Sequence, residues 1–393
     1  MRFFFLMFAP FFVFPANVNA EIDTSFDADM TLVLAMGGDE GAGPQRSNAL
    51  AEVSFTSGAE YLFENGLELS GNLSFRAQTD HPTRPGFAGA IQDCPPSVAG
   101  CSSESGLGLR GGFSRVATIG EQDETGGRGH LEAAYVTLKG GWGEVVVGRD
   151  QGVAQRFYEG GPTVFDLARA NSAVLDPFGT ALTRTKNDIT SSSEKVSLVS
   201  TRILGVRAGV SYTPDTSFNG LDRNTSYTFP GIIEPDLGES YEVGLQAYRR
   251  LYESGLRLRG SLTWSKATSQ SGFYDDVETV SAGFEIERRD QFRIGASVLD
   301  SSNGGHGRYS ASSFGAEWTV GDWDLRASFD QSDDDTVNLR NRSTTVGFGR
   351  DLSDNIEFTA GYRTVKTNFF SSTTQRKDEL NQNAVLLELR IRK

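Results

Sequence analysis

Apolar and polar side chains alternate along most of the chain. In residues 256–264, leucine, glycine and tryptophan alternate with arginine, serine and threonine, and residues 356–363 repeat the pattern with other side chains. Because successive side chains of a strand point to opposite faces, this period of two predicts strands with two chemically different faces. Sixteen strands are predicted, near residues 24–34, 48–63, 67–78, 131–139, 144–149, 195–203, 206–213, 240–250, 256–266, 277–288, 292–299, 312–320, 323–330, 342–350, 355–365 and 383–392.

The gaps between the predicted strands alternate between short and long without exception. The short gaps are residues 64–66, 140–143, 204–205, 251–255, 289–291, 321–322 and 351–354. The long gaps are residues 35–47, 79–130, 150–194, 214–239, 267–276, 300–311, 331–341 and 366–382. An antiparallel meander with tight turns at one rim and long loops at the other has this parity, and transmembrane β-barrels are built in this way. A soluble sandwich has no reason to sort its loops by length.

The predicted strand number also indicates which face meets water. Sixteen strands enclose a lumen that side chains are too small to fill, so an inward apolar face would leave a large empty hole. The polar positions are rich in Glu, Arg, Ser, Thr and Asn, which suits a water-filled interior, and the apolar positions then face lipid. Lipid does not tolerate bare strand edges, so the sheet has to close on itself. The predicted fold class is all-β, a sixteen-stranded antiparallel transmembrane β-barrel.

The N-terminus predicts export. Residues 1–20 combine one arginine, an apolar run of about a dozen residues and small side chains before Ala20, the pattern of a secretory signal peptide. The mature barrel domain is then residues 21–393. In an oxidising compartment Cys94 and Cys101 can close a disulfide-bonded loop.

Composition excludes several classes of protein. A net charge of −14 and a pI near 4.8 disfavour a nucleic-acid binder, which needs a basic face. Past residue 20 no apolar run approaches the roughly 20 residues that a membrane-spanning helix requires. Two Cys and three His leave little for a Cys/His metal site, so we expect no cofactor.

Residues 131–213 resemble a known family of membrane channels. Residues 131–149 are similar to the strand–turn–strand that leads into the constriction loop of Gram-negative general-diffusion porins, and residues 150–153 to the start of that loop. Residues 183–189 and 194–214 are similar to the loop exit in the alphaproteobacterial branch. The resemblance implies a homotrimer of sixteen-stranded barrels in the outer membrane, among lipid and lipopolysaccharide. It also implies that the third loop, residues 150–194, folds inward and narrows a channel for small hydrophilic solutes.

The resemblance also implies which charges surround the constriction. Carried over by position, Arg149 and Arg184 are the basic residues that flank the loop, and Glu159, Asp166 and Asp176 are the acids within it. The alternation of the third strand adds Arg76, which falls on its polar face. Opposed acids and guanidinium groups between low-dielectric walls create a transverse field. The overall excess of acidic residues predicts a preference for cations.

Other functions remain open on the sequence alone. A barrel enzyme would need a poised His beside a nucleophile or an acid, whereas His81, His130 and His306 fall in predicted loops or at a strand start, without a Gly-x-Ser-x-Gly motif. We therefore predict no catalytic residues. The run Asp333-Asp334-Asp335 could bind a structural Ca²⁺ through its oxygens, and acidic loops could bridge lipopolysaccharide through divalent ions. A substrate-specific channel and a secreted β-rich binding protein also fit the alternation.

Overall fold

The computed structural model of the chain describes residues 22–39, 49–79, 108–116, 127–217, 220–223, 232–289, 291–371 and 376–393. The predicted signal peptide, His81 and the cysteine pair Cys94 and Cys101 lie outside these ranges. Within them, no helix is long and apolar enough to cross a membrane.

Almost all of the regular secondary structure in the described residues is β-strand. The strands are β1 (Ile22–Asp39), β2 (Ala49–Leu62), β3 (Glu68–Thr79), β4 (Gly108–Leu109), β5 (Gly127–Gly140), β6 (Gly143–Asp150), β7 (Ser193–Ser200), β8 (Val206–Thr213), β9 (Ile232–Ile233), β10 (Leu237–Leu251), β11 (Leu256–Ser269), β12 (Val277–Arg288), β13 (Phe292–Ser301), β14 (Tyr309–Val320), β15 (Trp323–Asp334), β16 (Leu339–Ser353), β17 (Ile356–Ser371) and β18 (Arg376–Arg392). One short helix, α1 (Val153–Arg156), follows β6. All sixteen predicted strands are present, and the two-residue strands β4 and β9 were not predicted.

The sixteen long strands form one closed antiparallel barrel. Each strand pairs with its neighbours along the chain, except that the two-residue strands β4 and β9 lie outside the barrel and pair with each other in parallel. Closure comes from β1 and β18, whose register runs from Asp29 opposite Arg392 to Asp39 opposite Gln382. The predicted fold class is therefore confirmed.

The barrel carries its apolar face outside and its polar face inside. On β12 and β13 the large side chains Phe284 and Val298 are 48% and 54% exposed, whereas the intervening Ser281, Glu285 and Ser297 are buried. The same contrast recurs on the other strands, and a soluble barrel has the opposite arrangement. An apolar exterior around a polar interior is the arrangement that a strand barrel adopts in lipid.

The strict alternation of short and long connections is wrong at the C-terminal end. The connections at residues 335–338 and 372–375 are four residues long, the same length as the turn at 252–255. The reason is that β15 to β18 extend beyond their predicted ends. Elsewhere the lengths remain unequal, from the two-residue turns 141–142 and 321–322 to the 42-residue connection 151–192.

These extensions escape a pattern search because their outward side chains are polar. Asp333 and Arg340 occupy outward positions near the long-loop rim, where the apolar alternation has stopped but the hydrogen-bonded ladder continues, and Asp300 at the end of β13 is placed in the same way. Lys266 is similarly placed on β11 and pairs with Asp276 at 3.0 Å. The strands thus project beyond the apolar band into a polar surrounding.

Aromatic side chains cluster at both rims of the apolar band. At the short-turn rim Phe292 packs near Trp318, with ring centroids 6.3 Å apart. At the long-loop rim Tyr212 and Tyr241 lie 5.1 Å apart. Two such girdles are expected of a barrel that spans a bilayer.

We predict that a charge in the middle of the outer face destabilises the barrel strongly. Leu262, half exposed on β11, points outward in the middle of the wall. The substitution Leu262→Arg should lower the free energy of unfolding in lipid vesicles by about 2–4 kcal/mol, because an arginine at mid-depth meets hydrocarbon. The matched substitution Ser310→Arg, outward at the long-loop rim, should cost about 1 kcal/mol or less. If both substitutions lowered the free energy of unfolding by the same amount, the result would contradict an apolar surrounding of the barrel at mid-depth.

Candidate pore constriction

Residues 151–192, which we call loop 3, lie against the inner face of the barrel wall. Loop 3 begins with α1, where the backbone N–H of Val153 donates to Ser211 Oγ at 2.9 Å and that of Ala154 to Glu242 Oε2 at 3.2 Å. Val153 and Phe157 are buried and pack with Val199 of β7. Because these partners are inward-facing residues of a closed sheet, loop 3 enters the lumen directly after β6.

The outgoing limb of loop 3 follows the wall from β10 towards β18. The backbone N–H of Glu159 donates to Ser261 Oγ on β11 at 3.0 Å, and the Val164 carbonyl accepts from Arg326 Nη1 on β15 at 3.4 Å. Glu388 on β18 then accepts three consecutive backbone N–H groups, those of residues 166, 167 and 168, at 2.8, 3.1 and 2.8 Å. A buried carboxylate with three donors is well satisfied and fixes the direction of the chain at this point.

The far end of loop 3 is held by an apolar cluster. Phe165, Leu175 and Phe178 are buried together with Val33 of β1 and Leu386 of β18. Such apolar residues on a lumen face are expected only where something covers them. The cluster therefore anchors the tip of loop 3 to the wall by the hydrophobic effect.

The return limb crosses the same wall in the opposite direction. Its hydrogen bonds reach β14, where the N–H of Arg184 donates to Tyr309 Oη at 2.7 Å, and β13, where Thr185 and Ser297 hydroxyls lie 2.7 Å apart. Thr190 finally donates to Glu242 Oε1 at 2.6 Å, close to the point of entry. Both limbs thus line β10 to β18, and the wall formed by β3 and β5 faces them.

A charge cluster lies between the return limb and that facing wall, near the long-loop rim. Arg76 on β3 is 2.9 Å from Asp222, 3.7 Å from Glu132 and 3.8 Å from Glu52. Arg184 of loop 3 donates to the Asp222 carbonyl at 2.9 Å. We call this set the long-loop cluster; its members are Glu52, Arg76, Glu132, Arg184, Asp188, Asp222 and Arg223.

Buried ion pairs hold the loop-side part of the long-loop cluster. Asp188 pairs with Arg184 at 2.9 Å and with Arg223 at 2.8 Å. Lys186 lies between these residues and is half-buried. Burial, together with the neighbouring guanidinium group of Arg169, lowers the pKa of Lys186 to about 8. Lys186 is therefore a lumen charge that changes near neutral pH.

A second set of charges encircles much of the lumen near the short-turn rim. Acidic and basic side chains alternate on successive strands, with separations such as 3.0 Å from Arg259 to Glu285 and 2.9 Å from Arg293 to Glu317. We call this set the short-turn belt; its members are Arg257, Arg259, Glu285, Glu287, Arg293, Glu317, Arg326, Glu357, Arg390 and Arg392. Because each guanidinium group has a carboxylate partner, the belt contributes dipoles more than net charge.

The structure brings some of the predicted constriction residues together. Arg76 and Arg184 are joined through Asp222 in the long-loop cluster. Asp166 joins the short-turn belt through Arg390 at 3.0 Å. Glu159 accepts from Gln246 Nε2 at 2.6 Å, and burial raises its pKa.

The other two predicted residues have different partners. Arg149 is at the end of β6, 3.6 Å from Glu194, whose side chain is 79% exposed, and 2.9 Å from His130 Nε2. Asp176 is buried at the tip of loop 3, where it accepts the N–H groups of Phe178 and Ala181 at 3.3 and 2.8 Å. Asp176 thus shapes the turn.

Sequence reasoning missed the residues that attach loop 3 to the wall. Glu388, Glu242 and Tyr309 are lumen-facing strand residues whose partners are backbone groups of a segment far away in the chain. A weak signal existed for Glu388, because it interrupts the apolar run of residues 385–389 at an inward position. The alternation of apolar and polar residues could not show which segment of the chain covers Glu388.

The candidate calcium ligands do not converge. Asp333 faces outward and pairs with Arg340 at 2.8 Å, whereas Asp334 is buried inward and accepts from Asn303 Nδ2 at 3.1 Å. Among the described residues, no group of three or more His, Cys, Asp or Glu side chains is arranged to hold a metal ion.

Solved structures with this fold come from several bacteria. The anion-selective porin of Comamonas acidovorans is 13% identical, with a TM-score of 0.59 over 95% of this chain and 100% of that one. OmpF of Salmonella typhi, solved as a complex with daunomycin, is 14% identical, with a TM-score of 0.53 over 95% and 98%. OmpT of Vibrio cholerae in its trimer form is 11% identical, with a TM-score of 0.55 over 95% and 99%. At these identities the likeness concerns the fold.

The family assignment comes from the sequence itself. Comparison with curated proteins finds no match. A family model of Gram-negative porins matches residues 13–369, which is most of the chain. The chain therefore belongs to the Gram-negative porin family and is an outer-membrane β-barrel.

Proposed function

We propose that this porin is a passive, general-diffusion channel for ions and small hydrophilic solutes, with loop 3 as its constriction. The observation that carries the proposal is the polar, charged interior of a sixteen-stranded barrel in which both limbs of loop 3 line one side of the lumen. A solute in this lumen meets hydrogen-bonding groups on both sides, so polar molecules keep their solvation while apolar ones lose hydration. No step of the proposed transport requires a catalytic group or a cofactor.

We also propose a mild preference for cations. Asp23 and Asp27 alternate with the exposed Phe26 and therefore face the lumen at the short-turn end of β1. Among the described residues neither carboxylate has an ion-pair partner. In the closed ring β1 lies opposite β11, where Arg257 is neutralised by Glu287 at 3.2 Å. Uncompensated carboxylates raise the local cation concentration. The anion selectivity named for the Comamonas porin remains a property of that protein.

A substrate-specific channel is the second candidate. A recess of about 870 Å³ opens at the short-turn rim, lined almost entirely by charged and polar side chains that include Arg257, Arg293 and Arg350. The recess is lined by carboxylates as well as arginines, and its size suits a small polar solute. Conductance that falls as one solute saturates would favour this function; a linear dependence on solute concentration favours general diffusion.

The proposed assembly is a homotrimer. Purified protein in planar bilayers should give stepwise conductance increases in groups of three, because each barrel conducts through its own lumen. Single steps of one size would contradict the trimer while leaving the channel intact. If folded protein inserts and no conductance is measured, diffusion through the lumen is contradicted.

The carboxylates of β1 should set part of the selectivity. In a salt gradient, the double substitution Asp23→Asn and Asp27→Asn should shift the reversal potential towards zero, because two uncompensated negative charges leave the lumen. The matched control, Glu253→Gln together with Asp354→Asn, removes two charges from exposed turns at the same rim and should leave the reversal potential unchanged. Equal shifts in both proteins would assign the effect to the overall charge.

Selectivity should also depend on pH through Lys186. Its pKa is lowered to about 8, so the ammonium group is charged below that pH and neutral above it. Cation preference should therefore rise between pH 7 and pH 9. The change should be smaller in Lys186→Gln, measured as the difference between reversal potentials at the two pH values. An undiminished pH dependence in this variant would show that another group titrates.

A further inference from the structure

Seven glycines form a row across the lumen face of the barrel wall. They come from β8, β10, β12, β13, β14, β16 and β17. Three cross-strand pairs in the row stand directly opposite each other in the sheet register. We call this row the glycine track; its members are Gly209, Gly244, Gly283, Gly295, Gly315, Gly347 and Gly361.

Backbone conformation does not explain these glycines. None of the seven has a positive φ, so each has strand geometry that any residue can adopt. Glycine in a strand interior is destabilising by roughly 0.5–1 kcal/mol relative to alanine. A row of seven therefore indicates that the space beside the backbone is needed for something else.

That space is filled by the outgoing limb of loop 3. A Cβ on Gly283 would lie 1.9 Å from the Glu159 carbonyl oxygen, and a Cβ on Gly315 would lie 1.9 Å from the Pro162 carbonyl oxygen. A Cβ on Gly295 would lie 2.8 Å from the Cα of Gly161 and also 2.4 Å from the Phe284 carbonyl oxygen of the neighbouring strand. In the middle of the track, loop backbone is thus in contact with wall backbone.

The two ends of the track receive side chains of loop 3. At one end, a Cβ on Gly244 would lie 2.8 Å from the ring of Phe157, and Gly209 faces the same ring. At the other end, a Cβ on Gly347 would lie 2.6 Å from Val164 Cγ1, and one on Gly361 would lie 2.9 Å from the ring of Phe165. All seven glycines therefore lie beneath residues 157–165.

We propose that the glycine track sets the bore of the channel by letting loop 3 lie flush with the wall. The inference rests on the proposed role of loop 3 as the constriction and identifies the positioning residues for it. Ordinary contact with a Cβ begins at 3.4 Å, so a methyl group on Gly315 displaces the Pro162 carbonyl by about 1.5 Å. The wall is braced by neighbouring strands, whereas the lumen is open. Loop 3 therefore moves towards the channel axis.

The test is the substitution Gly315→Ala, because its nearest neighbours all belong to loop 3. The single-channel conductance should fall about 1.5-fold or more, and the largest uncharged sugar that permeates should become smaller. The matched control is Gly58→Ala on the lumen face of β2, where the new methyl group meets only the rotatable hydroxyl of Ser25. The control should conduct like the unmodified protein.

A second pair of variants covers the case in which Gly315→Ala does not fold. Gly244→Ala presses on the Phe157 ring at 2.8 Å, with the Val153 carbonyl oxygen of loop 3 next at 3.3 Å, and should also lower the conductance. Adding Phe157→Ala removes the ring, so the double variant should conduct at least as well as Phe157→Ala alone. Heat-modifiable migration in detergent gels verifies that each barrel is folded.

Unchanged conductance and size limit in both Gly315→Ala and Gly244→Ala would overturn the proposal. A crystal structure of Gly315→Ala supplies a readout that does not depend on conduction. Loop 3 should be displaced from β14, and an undisplaced loop would also overturn it. If the unmodified protein gave no conductance in bilayers, the proposed diffusion through the lumen would be contradicted. The crystal structure of Gly315→Ala would still show whether loop 3 is displaced.

Discussion

The need to satisfy backbone hydrogen bonds without water determines the rest of this structure. In hydrocarbon every unpaired N–H and C=O costs several kcal/mol, so a sheet survives there only if its two edges meet. The pairing of β1 with β18 removes both edges. Once the ring is closed, the period of two divides every strand into a face for lipid and a face for the lumen. The apolar exterior and the charged interior are consequences of this single closure.

Closure with sixteen strands produces a lumen that the side chains of the wall are too small to fill, and loop 3 lies against its inner face. Loop 3 is attached by inward-facing residues such as Glu388 and Ser261 and by an apolar cluster at its tip. These anchors lie on strands separated by more than 60 residues from loop 3, so the sequence of the loop and its immediate neighbours does not define the surface that it binds. Most charged side chains of the lumen form ion pairs. In the proposed channel, ion selectivity therefore depends on the few charged side chains that have no ion-pair partner among the described residues.

Alternation predicted the strands and their faces because both are local properties of the chain. It placed Arg76 on the lumen face, where the structure has it, since the orientation of a strand residue follows from its neighbours. The alternation gave wrong predictions where the surroundings of a residue are not determined by its own strand. The strand extensions near Asp333 carry polar residues on the outside. The cluster of Val33 and Leu386 is apolar on the inside because loop 3 covers it. Arg149 was assigned to the constriction by its position in the segment that resembles porins. That assignment likewise did not reveal that Arg149 lies beside the exposed Glu194.

The central claim is that the apolar faces of the strands contact lipid while the polar faces contact water. Spin labels attached one at a time to residues 69–75 of β3, with the two native cysteines replaced by serine, test it most directly, because loop 3 does not line this part of the wall. Collisions with oxygen should peak at the odd positions, including Leu73 and Phe75, and collisions with a water-soluble nickel complex should peak at the even positions, including Asn72 and Ser74. Reversed phases, or no alternation at all, would contradict the account.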